Sequence, residues 1–254
     1  MEKLKTLFSL EGIRIIVTGA SGGLGLSQAL LMAELGAEVF ALSRTGRTKE
    51  DISIPSNLDL RFIETDVTNA KQVTSVFNEI GASGGIDVLV NNAGITMKKR
   101  AEEVTEESWI KIHEVNVNAV YRCCKAAYSW LKKSTHTGRI INISSMASYF
   151  GFSKVVPYSS SKTAVLGITR GLAVEWSSDN ILVNSVSPGW FPSKLVEQVM
   201  DEERKIKILS RMPLHRFGEK EELAAMVCFL ASPSATYITG QDFSVDGGAR
   251  AFGY

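Results

Sequence analysis

The chain is short of the residues that build metal centres and covalent frameworks. It has three cysteines, Cys123, Cys124 and Cys228, and three histidines in 254 residues. An odd cysteine count without C-x-x-C spacing argues against a disulfide scaffold and against a zinc site. His113, His136 and His215 show no ligand spacing and no fixed partner, so no metal is expected. Free thiols fit a reducing, cytoplasmic setting. Charge of one sign is also missing: the net charge of +1 gives no electrostatic reason to expect nucleic acid or an anionic membrane as partner. No apolar run approaches the roughly 18 residues that span a bilayer. The opening MEKLKTLFSLEG lacks a small-residue cleavage site and runs directly into a strand-like segment, so it reads as part of the fold and not as a signal peptide.

What is present is an ordinary globular composition, 44% hydrophobic and 22% charged, in a chain long enough to bury a large core. Short apolar runs alternate with longer amphipathic stretches. Strands are expected at 13–19, 37–43, 58–66, 85–94, 138–145, 180–189 and 241–248, and helices at 24–36, 69–80, 105–132, 157–178, 192–209 and 219–231. Strands apolar throughout are buried on both faces, and a regular β-α-β-α succession gives a parallel sheet covered by helices on both sides. No linker, repeat or low-complexity segment interrupts the pattern. The expectation is one doubly wound Rossmann-type α/β domain over residues 1–254, with about seven strands. Ligands of such sheets bind beyond the carboxyl ends of the strands.

The first strand runs into Thr18-Gly19-Ala20-Ser21-Gly22-Gly23-Leu24-Gly25. Glycines at 19, 23 and 25 allow a tight turn, close approach of backbone to a phosphate, and close packing of helix on strand. The free N–H groups at the helix start would face a pyrophosphate. A glycine triplet alone is a weak signal; the strand before it and the helix after it strengthen it. At the end of the second strand an acidic residue would bind the ribose 2′-OH of NAD. Ser43 stands there instead, followed by Arg44, and a hydroxyl with a guanidinium suits the 2′-phosphate of NADP. NADP(H) is therefore favoured over NAD(H), although Arg44 also reads as a solvated loop residue.

Tyr158 and Lys162 lie four apart, on one face of a helix. An ammonium at about 6 Å, at an effective dielectric of about 20, favours a phenolate by about 2.8 kcal/mol, or roughly 2 pKa units. Such a pair would make a tyrosine that exchanges protons near neutral pH. Ser145 ends the fifth strand, where its hydroxyl could meet developing negative charge on a substrate oxygen. Ser144 is the competing candidate, pointing to the opposite face. Asn116 sits inside the long helix, where asparagine is a poor interior residue. It could hold a water that relays protons from Lys162; plain core or cap use and neighbouring Asn118 are the alternatives.

Taken together, these residues resemble the short-chain dehydrogenase/reductase family in its single-domain branch. The likeness spans essentially the whole chain: Thr18-Gly-x-x-x-Gly-x-Gly25, Asp66-Val67, Asn91-Asn-Ala-Gly94, Asn116, Ser145, Tyr158-x-x-x-Lys162 and Pro188-Gly189. Each is weak alone; together, in order and at the family's spacings, they are specific. The resemblance implies a catalytic tetrad of Asn116, Ser145, Tyr158 and Lys162, with Tyr158 as general acid in reduction and general base in oxidation. Ser145, thirteen residues before Tyr158, is preferred to Ser144 on that ground. Lys162 would also bind the nicotinamide ribose. Gly19, Ser21, Gly23, Leu24, Gly25, Ser43 and Arg44 would hold the adenosine and phosphates. Asp66 and Val67 would frame the adenine, Asn92, Ala93 and Gly94 line the cofactor, and the stretch from Pro188 and Gly189 through Phe191 to Ser193 hold the carboxamide. NADP-preferring relatives often carry Arg or Lys just before the middle glycine of the turn, where this chain has Gly22.

The nearest likenesses within the family are 3-oxoacyl-(acyl carrier protein) reductases and gluconate 5-dehydrogenase-like sugar or polyol enzymes. The expected substrate is a ketone or secondary alcohol, either a 3-oxoacyl thioester on a carrier or a keto-sugar or polyol. A substrate lid is expected within roughly 190–215. Trp190 and Phe191 either shape an apolar pocket or only pack the lid, and Lys98-Lys99-Arg100 either attracts an anionic partner or is a solvated loop. Family members are commonly tetramers, so a homotetramer or homodimer is expected. The alternative is a non-catalytic dinucleotide-binding regulator on the same fold.

Overall fold

The computed structural model describes residues 6–192 and 201–253 of the chain. Seven strands form one parallel sheet: β1 (Arg14–Thr18), β2 (Glu38–Ser43), β3 (Leu60–Glu64), β4 (Val88–Asn91), β5 (Gly138–Ile143), β6 (Ile181–Pro188) and β7 (Asp242–Val245). Their spatial order is β3-β2-β1-β4-β5-β6-β7, and every neighbouring pair is parallel. This is the expected doubly wound arrangement, with the chain reversing its direction of travel between β1 and β4.

The helices are α1 (Gly23–Glu34), α2 (Ala70–Ala82), α3 (Glu106–His113), α4 (Ala119–Leu131), α5 (Val156–Glu175), α6 (Glu202–Arg211), α7 (Lys220–Ala231) and the short α8 (Ala249–Phe252). They divide between two hydrophobic cores, one on each face of the sheet. Successive β1 residues alternate between them as the pleat requires: Ile15 and Val17 join Ala29 of α1 and Val227 of α7, while Ile16 joins Phe77 of α2, Cys123 of α4 and Val165 of α5. The inner strands β1, β4 and β5 are buried on both faces, as their unbroken apolar runs implied, whereas the edge strands β3 and β7 are only partly covered.

The sequence places the elements correctly and several of their ends too generously. The strand expected over 58–66 spans five residues, and the one expected over 85–94 spans four. The helix expected over 157–178 stops at Glu175, where a 3-10 turn and Asn180 in the left-handed region (φ 58°) hand the chain to β6. The long helix expected over 105–132 is present but is broken by a π-helical turn, Glu114–Asn118, between α3 and α4. Residues 193–200 of the helix expected over 192–209 lie outside the described residues; α6 covers its end. Between Ser43 and Leu60 the chain forms neither helix nor strand and instead passes over the glycine-rich turn.

No helix of the described residues is long and apolar enough to cross a membrane. Among the same residues, no group of three or more His, Cys, Asp or Glu side chains could hold a metal ion.

Candidate active site

Because all seven strands are parallel, β1, β2, β4, β5 and β6 end at the same edge of the sheet. There they border a cleft of about 1040 Å³. The glycine-rich turn forms one wall. Gly19 (φ 69°) and Gly23 (φ 60°) occupy the left-handed region that only glycine adopts cheaply. Gly25 is fixed by packing: a Cβ there would overlap the Asn92 amide and lie 2.6 Å from the Gly19 carbonyl oxygen. Asn92 donates from Nδ2 to the Thr18 (3.0 Å) and Gly19 (3.3 Å) carbonyls, and the Thr18 hydroxyl accepts from the N–H groups of Asn92 and Ala93 at 3.1 Å each. The ends of β1 and β4 are thus bolted together. Sequence reading did not single out Thr18 as the bolt.

Ser43 is buried at the end of β2, its hydroxyl 3.3 Å from that of Thr45, while Arg44 is exposed and borders the cleft. Asp66 accepts from the Thr68 N–H (2.9 Å) and hydroxyl (2.7 Å). These bonds, with smaller help from Arg44 and Arg122, hold its carboxyl below the usual carboxylate range. Val67 stands beside it, and its carbonyl accepts from Arg122 at 2.8 Å.

Asn116 is wholly buried in the π-helical turn. Its Nδ2 donates to the Ile95 carbonyl and to the Ser161 hydroxyl, each at 2.9 Å, and its Oδ1 accepts from the Ile95 N–H at 2.9 Å. The extra residue of a π turn re-aims a helical side chain, and here the amide clamps the loop that follows β4. The nearby competitor Asn118 instead donates to Glu114 and is exposed.

The two serines beyond β5, expected on opposite faces, both border the cleft and differ in their hydrogen-bond partners. The Ser144 hydroxyl is engaged, donating to the Lys162 carbonyl at 3.0 Å and meeting Ser148 at 2.8 Å. Ser145 accepts from the Ala147 N–H at 3.1 Å and is hydrogen-bonded to Tyr158. Lys162, 4% exposed, donates from Nζ to the Ile143 carbonyl at 2.7 Å and lies 5.9 Å from the Tyr158 ring centroid. Lys162 Nζ and Asn116 Oδ1 lie 3.4 and 3.5 Å from the point a Cβ on Gly94 would occupy. Ser145, Tyr158 and Lys162 therefore meet on one wall, with Asn116 and Gly94 behind them.

The electrostatics of this pair differ from the expectation. The ammonium was expected to pull the phenol down; instead burial raises the Tyr158 pKa above its ordinary value, and the Ser145 hydrogen bond only partly opposes that. Lys162 is itself pushed down to about 8 by burial. The physical reason is that a low-dielectric wall penalises both charged forms, phenolate and ammonium alike. Separation was foreseeable from the helix; desolvation was not.

At the end of β6, Pro188 and Gly189 line the cleft, and a Cβ on Gly189 would stand 2.6 Å from Asp246 Cα. Phe191 is buried against Gly218, and Trp190 packs edge-on to Phe152 with centroids 6.0 Å apart. Trp190, Met146 and Met212 form a small separate core with Phe150 and Phe152. Ser193 lies outside the described residues. Sequence reading also overlooked Lys49, Glu50 and Lys220, which border the cleft beside the turn. His113, read as having no fixed partner, bonds to the Trp109 carbonyl (2.9 Å) and to Ser160 (3.1 Å) and stacks on Trp109.

A family model described as Enoyl-(Acyl carrier protein) reductase matches residues 19–250. The chain belongs to the short-chain dehydrogenase/reductase family. It is 36% identical to the 2-dehydro-3-deoxy-D-gluconate 5-dehydrogenase of Escherichia coli (strain K12), over 95% of this chain and 96% of that one. It is 37% identical to the 3-oxoacyl-(acyl-carrier-protein) reductase FabG of Vibrio cholerae, over 94% and 98%. A gluconate 5-dehydrogenase from Burkholderia cenocepacia, solved in complex with NADP and tartrate, superposes with a TM-score of 0.90 at 30% identity, over 98% of this chain and 99% of that one. As a short-chain dehydrogenase/reductase, this chain is an oxidoreductase.

Proposed function

We propose that the chain transfers a hydride between NADP(H) and a ketone or secondary alcohol, with Tyr158 as the acid–base residue. The observation that carries this reading is the convergence of Ser145, Tyr158 and Lys162 on one wall of the cleft whose other wall is the glycine-rich turn. The cleft residues fit a dinucleotide. The start of α1, which Gly22 does not cap, offers N–H groups to phosphate, the tight packing at Gly19 and Gly25 leaves no room for side chains at those positions, and Ser43 with Arg44 suits a 2′-phosphate. The crystallised relative that binds NADP supports the same choice.

The nicotinamide supplies or accepts the hydride when the cofactor is bound. The chain's own residues handle the proton. Tyr158 Oη donates its proton to the substrate oxygen in reduction and takes it back in oxidation. Ser145 donates a hydrogen bond to that same oxygen, where charge develops. Lys162 keeps a positive charge behind the phenol and, with Gly94 and Asn116, holds the ribose side of the cleft. Asn116 fixes the loop at Ile95 and can carry a water between Lys162 and solvent. Asp66 and Val67 frame the adenine, and Pro188, Gly189, Phe191 and Ser193 hold the carboxamide.

The substrate is a 3-oxoacyl thioester or a keto-sugar or polyol, the two chemistries named in the relatives. The same reading takes residues 1–254 as one domain with a substrate lid within roughly 190–215, working in the cytoplasm as a homotetramer or homodimer. Exposed Trp109, Ile110, Tyr121 and Val174 on α3, α4 and α5 support assembly through the long helices. Absorbance at the reduced-nicotinamide band, with an acetoacetyl thioester and 5-keto-gluconate each offered with both dinucleotides, tests substrate and cofactor together. Tyr158→Phe should bind NADPH as the parent does and lose turnover; undiminished turnover in that variant refutes the assignment. Tight NADPH binding with no turnover on any carbonyl would instead favour a non-catalytic regulator.

A further inference from the structure

We propose that Glu50 is a specificity-determining residue of the cleft, a built-in anion that competes with cofactor phosphates for the start of α1 and opposes NADP(H) more than NAD(H). This inference rests on the reading that the cleft binds a dinucleotide.

Helix α1 begins without a side-chain cap from Gly22 and without an acidic residue in its first turn. Its first N–H groups therefore need acceptors from elsewhere. The N–H of Gly23 finds one in Glu50 Oε1 at 2.5 Å, twenty-seven positions further along the chain. The segment between β2 and β3 delivers it. The Lys49 N–H donates to the Ser21 carbonyl at 2.7 Å, so this strap is fastened to the turn itself. Thr48 Oγ1 accepts from the Glu50 N–H at 3.1 Å and fixes the local bend. From the start of α7, Lys220 Nζ approaches the same Oε1 at 3.7 Å. A Cβ on Gly22 would stand 3.2 Å from that oxygen, so the carboxylate fills the space beside the turn that a side chain at position 22 would otherwise take.

Glu50, Lys49, Lys220, Ser43 and Arg44 all border the one cleft. A carboxylate at a helix N-terminus is stabilised there for the same reason a phosphate is, so the two compete. The Glu50 side chain is 30% exposed and can swing outward. A 2′-phosphate adds a charge of about −1.5 to −2. Any carboxylate left in this part of the cleft therefore opposes NADP(H) more strongly than NAD(H), and works against Arg44.

The test is a fluorescence titration of the full-length protein with NADPH and with NADH, comparing parent, Glu50→Gln and Glu50→Ala. Glutamine keeps an oxygen for the Gly23 N–H and removes only the charge. The expected result is NADPH binding about tenfold tighter and NADH binding about threefold tighter in Glu50→Gln, with the gap closing as salt is raised. Glu50→Ala should show the same order, which keeps the test usable if thermal melting shows one variant to be misfolded. A parent that binds NADPH weakly and a Glu50→Gln that binds it well, with the smaller gain for NADH, would support the inference. A parent that binds both dinucleotides with constants unchanged in both variants, or improved equally for the two, overturns this inference and leaves the functional reading standing. Absence of binding in parent and variants alike overturns both.

Discussion

Lys162 should make the folded protein less stable than it would be without the charge, by an amount that shrinks as pH rises. Its pKa falls from an ordinary 10.5 to about 8 because the ammonium is buried, and its side chain is almost fully enclosed. A depression of that size corresponds to a cost of about 3 kcal/mol at pH 7, at about 1.4 kcal/mol per pKa unit. The sign follows from proton counts. Between pH 8 and 10.5 the unfolded chain keeps the proton and the folded chain has lost it, so stability rises with pH across that window. Replacing the residue in Lys162→Met removes the cost but also the 2.7 Å hydrogen bond to the Ile143 carbonyl, worth about 1 kcal/mol. The variant should therefore be more stable than the parent by about 2 kcal/mol at pH 7, and by about 1 kcal/mol or less at pH 9. For a chain of this size that difference moves the melting temperature by a few degrees. Urea or thermal denaturation of both proteins at pH 7, 8 and 9 measures it. A difference that stays constant with pH, or a variant less stable than the parent at pH 7, refutes the argument that burial dominates the energetics of this lysine.

Other perturbations test other parts of the site. Gly25→Ala places a Cβ against the Asn92 amide and the Gly19 carbonyl; overpacking of this kind costs about 1–3 kcal/mol, and both the melting temperature and NADPH affinity should fall. Arg44→Ala should raise the Michaelis constant for NADPH about tenfold, the worth of a charge-assisted hydrogen bond, and leave that for NADH nearly unchanged; equal effects on both would remove Arg44 from 2′-phosphate binding. Asn116→Ala leaves the Ile95 N–H and carbonyl without their partner and should destabilise by about 2–3 kcal/mol, read from urea unfolding. Because burial raises the Tyr158 pKa, the phenolate needed for oxidation forms only at alkaline pH. Alcohol oxidation should therefore keep rising above pH 9 while carbonyl reduction is already near its maximum at pH 7, and coincident pH profiles in the two directions would contradict that.

The sequence carries the fold in its local patterns. Each buried strand is an apolar run, each run ends in a residue type suited to a turn, and parallel order follows from the helices between. The Tyr158–Lys162 pair is legible because i and i+4 share a helix face, whereas the preference for Ser145 over Ser144 came only from the thirteen-residue spacing to Tyr158 that the family resemblance implies. What stays hidden is whatever depends on distant segments. Nothing in Val115-Asn116-Val117 announces a π-helical turn; the reason for it is Ile95, twenty-one positions away. Nothing in Thr48-Lys49-Glu50 announces a contact with Gly23, because that contact exists only once β2 and β1 lie side by side. Burial is hidden in the same way. Four residues of helix fix how far apart a phenol and an ammonium stand, but the wall that raises one pKa and lowers the other is built from β5, the loop after β4 and α5 together.

That wall explains why separation alone misjudges the pair. Coulomb attraction at 6 Å and an effective dielectric of 20 gives about 2.8 kcal/mol in favour of a phenolate beside an ammonium, yet it assumes that the ammonium is there at no cost. Here burial has already removed much of the ammonium's advantage, taking its pKa down to about 8, and the Ile143 carbonyl takes one of its hydrogens. Burial of the phenol itself outweighs the Ser145 hydrogen bond, leaving a phenol that holds its proton at neutral pH and a lysine that is charged below about 8. A proton donor poised beside a cation is the resting state a carbonyl reductase needs, whereas an alcohol dehydrogenase needs the phenolate. With Tyr158 in its proposed role as the acid–base residue, desolvation of this wall would favour reduction at neutral pH, where spacing alone argues for either direction.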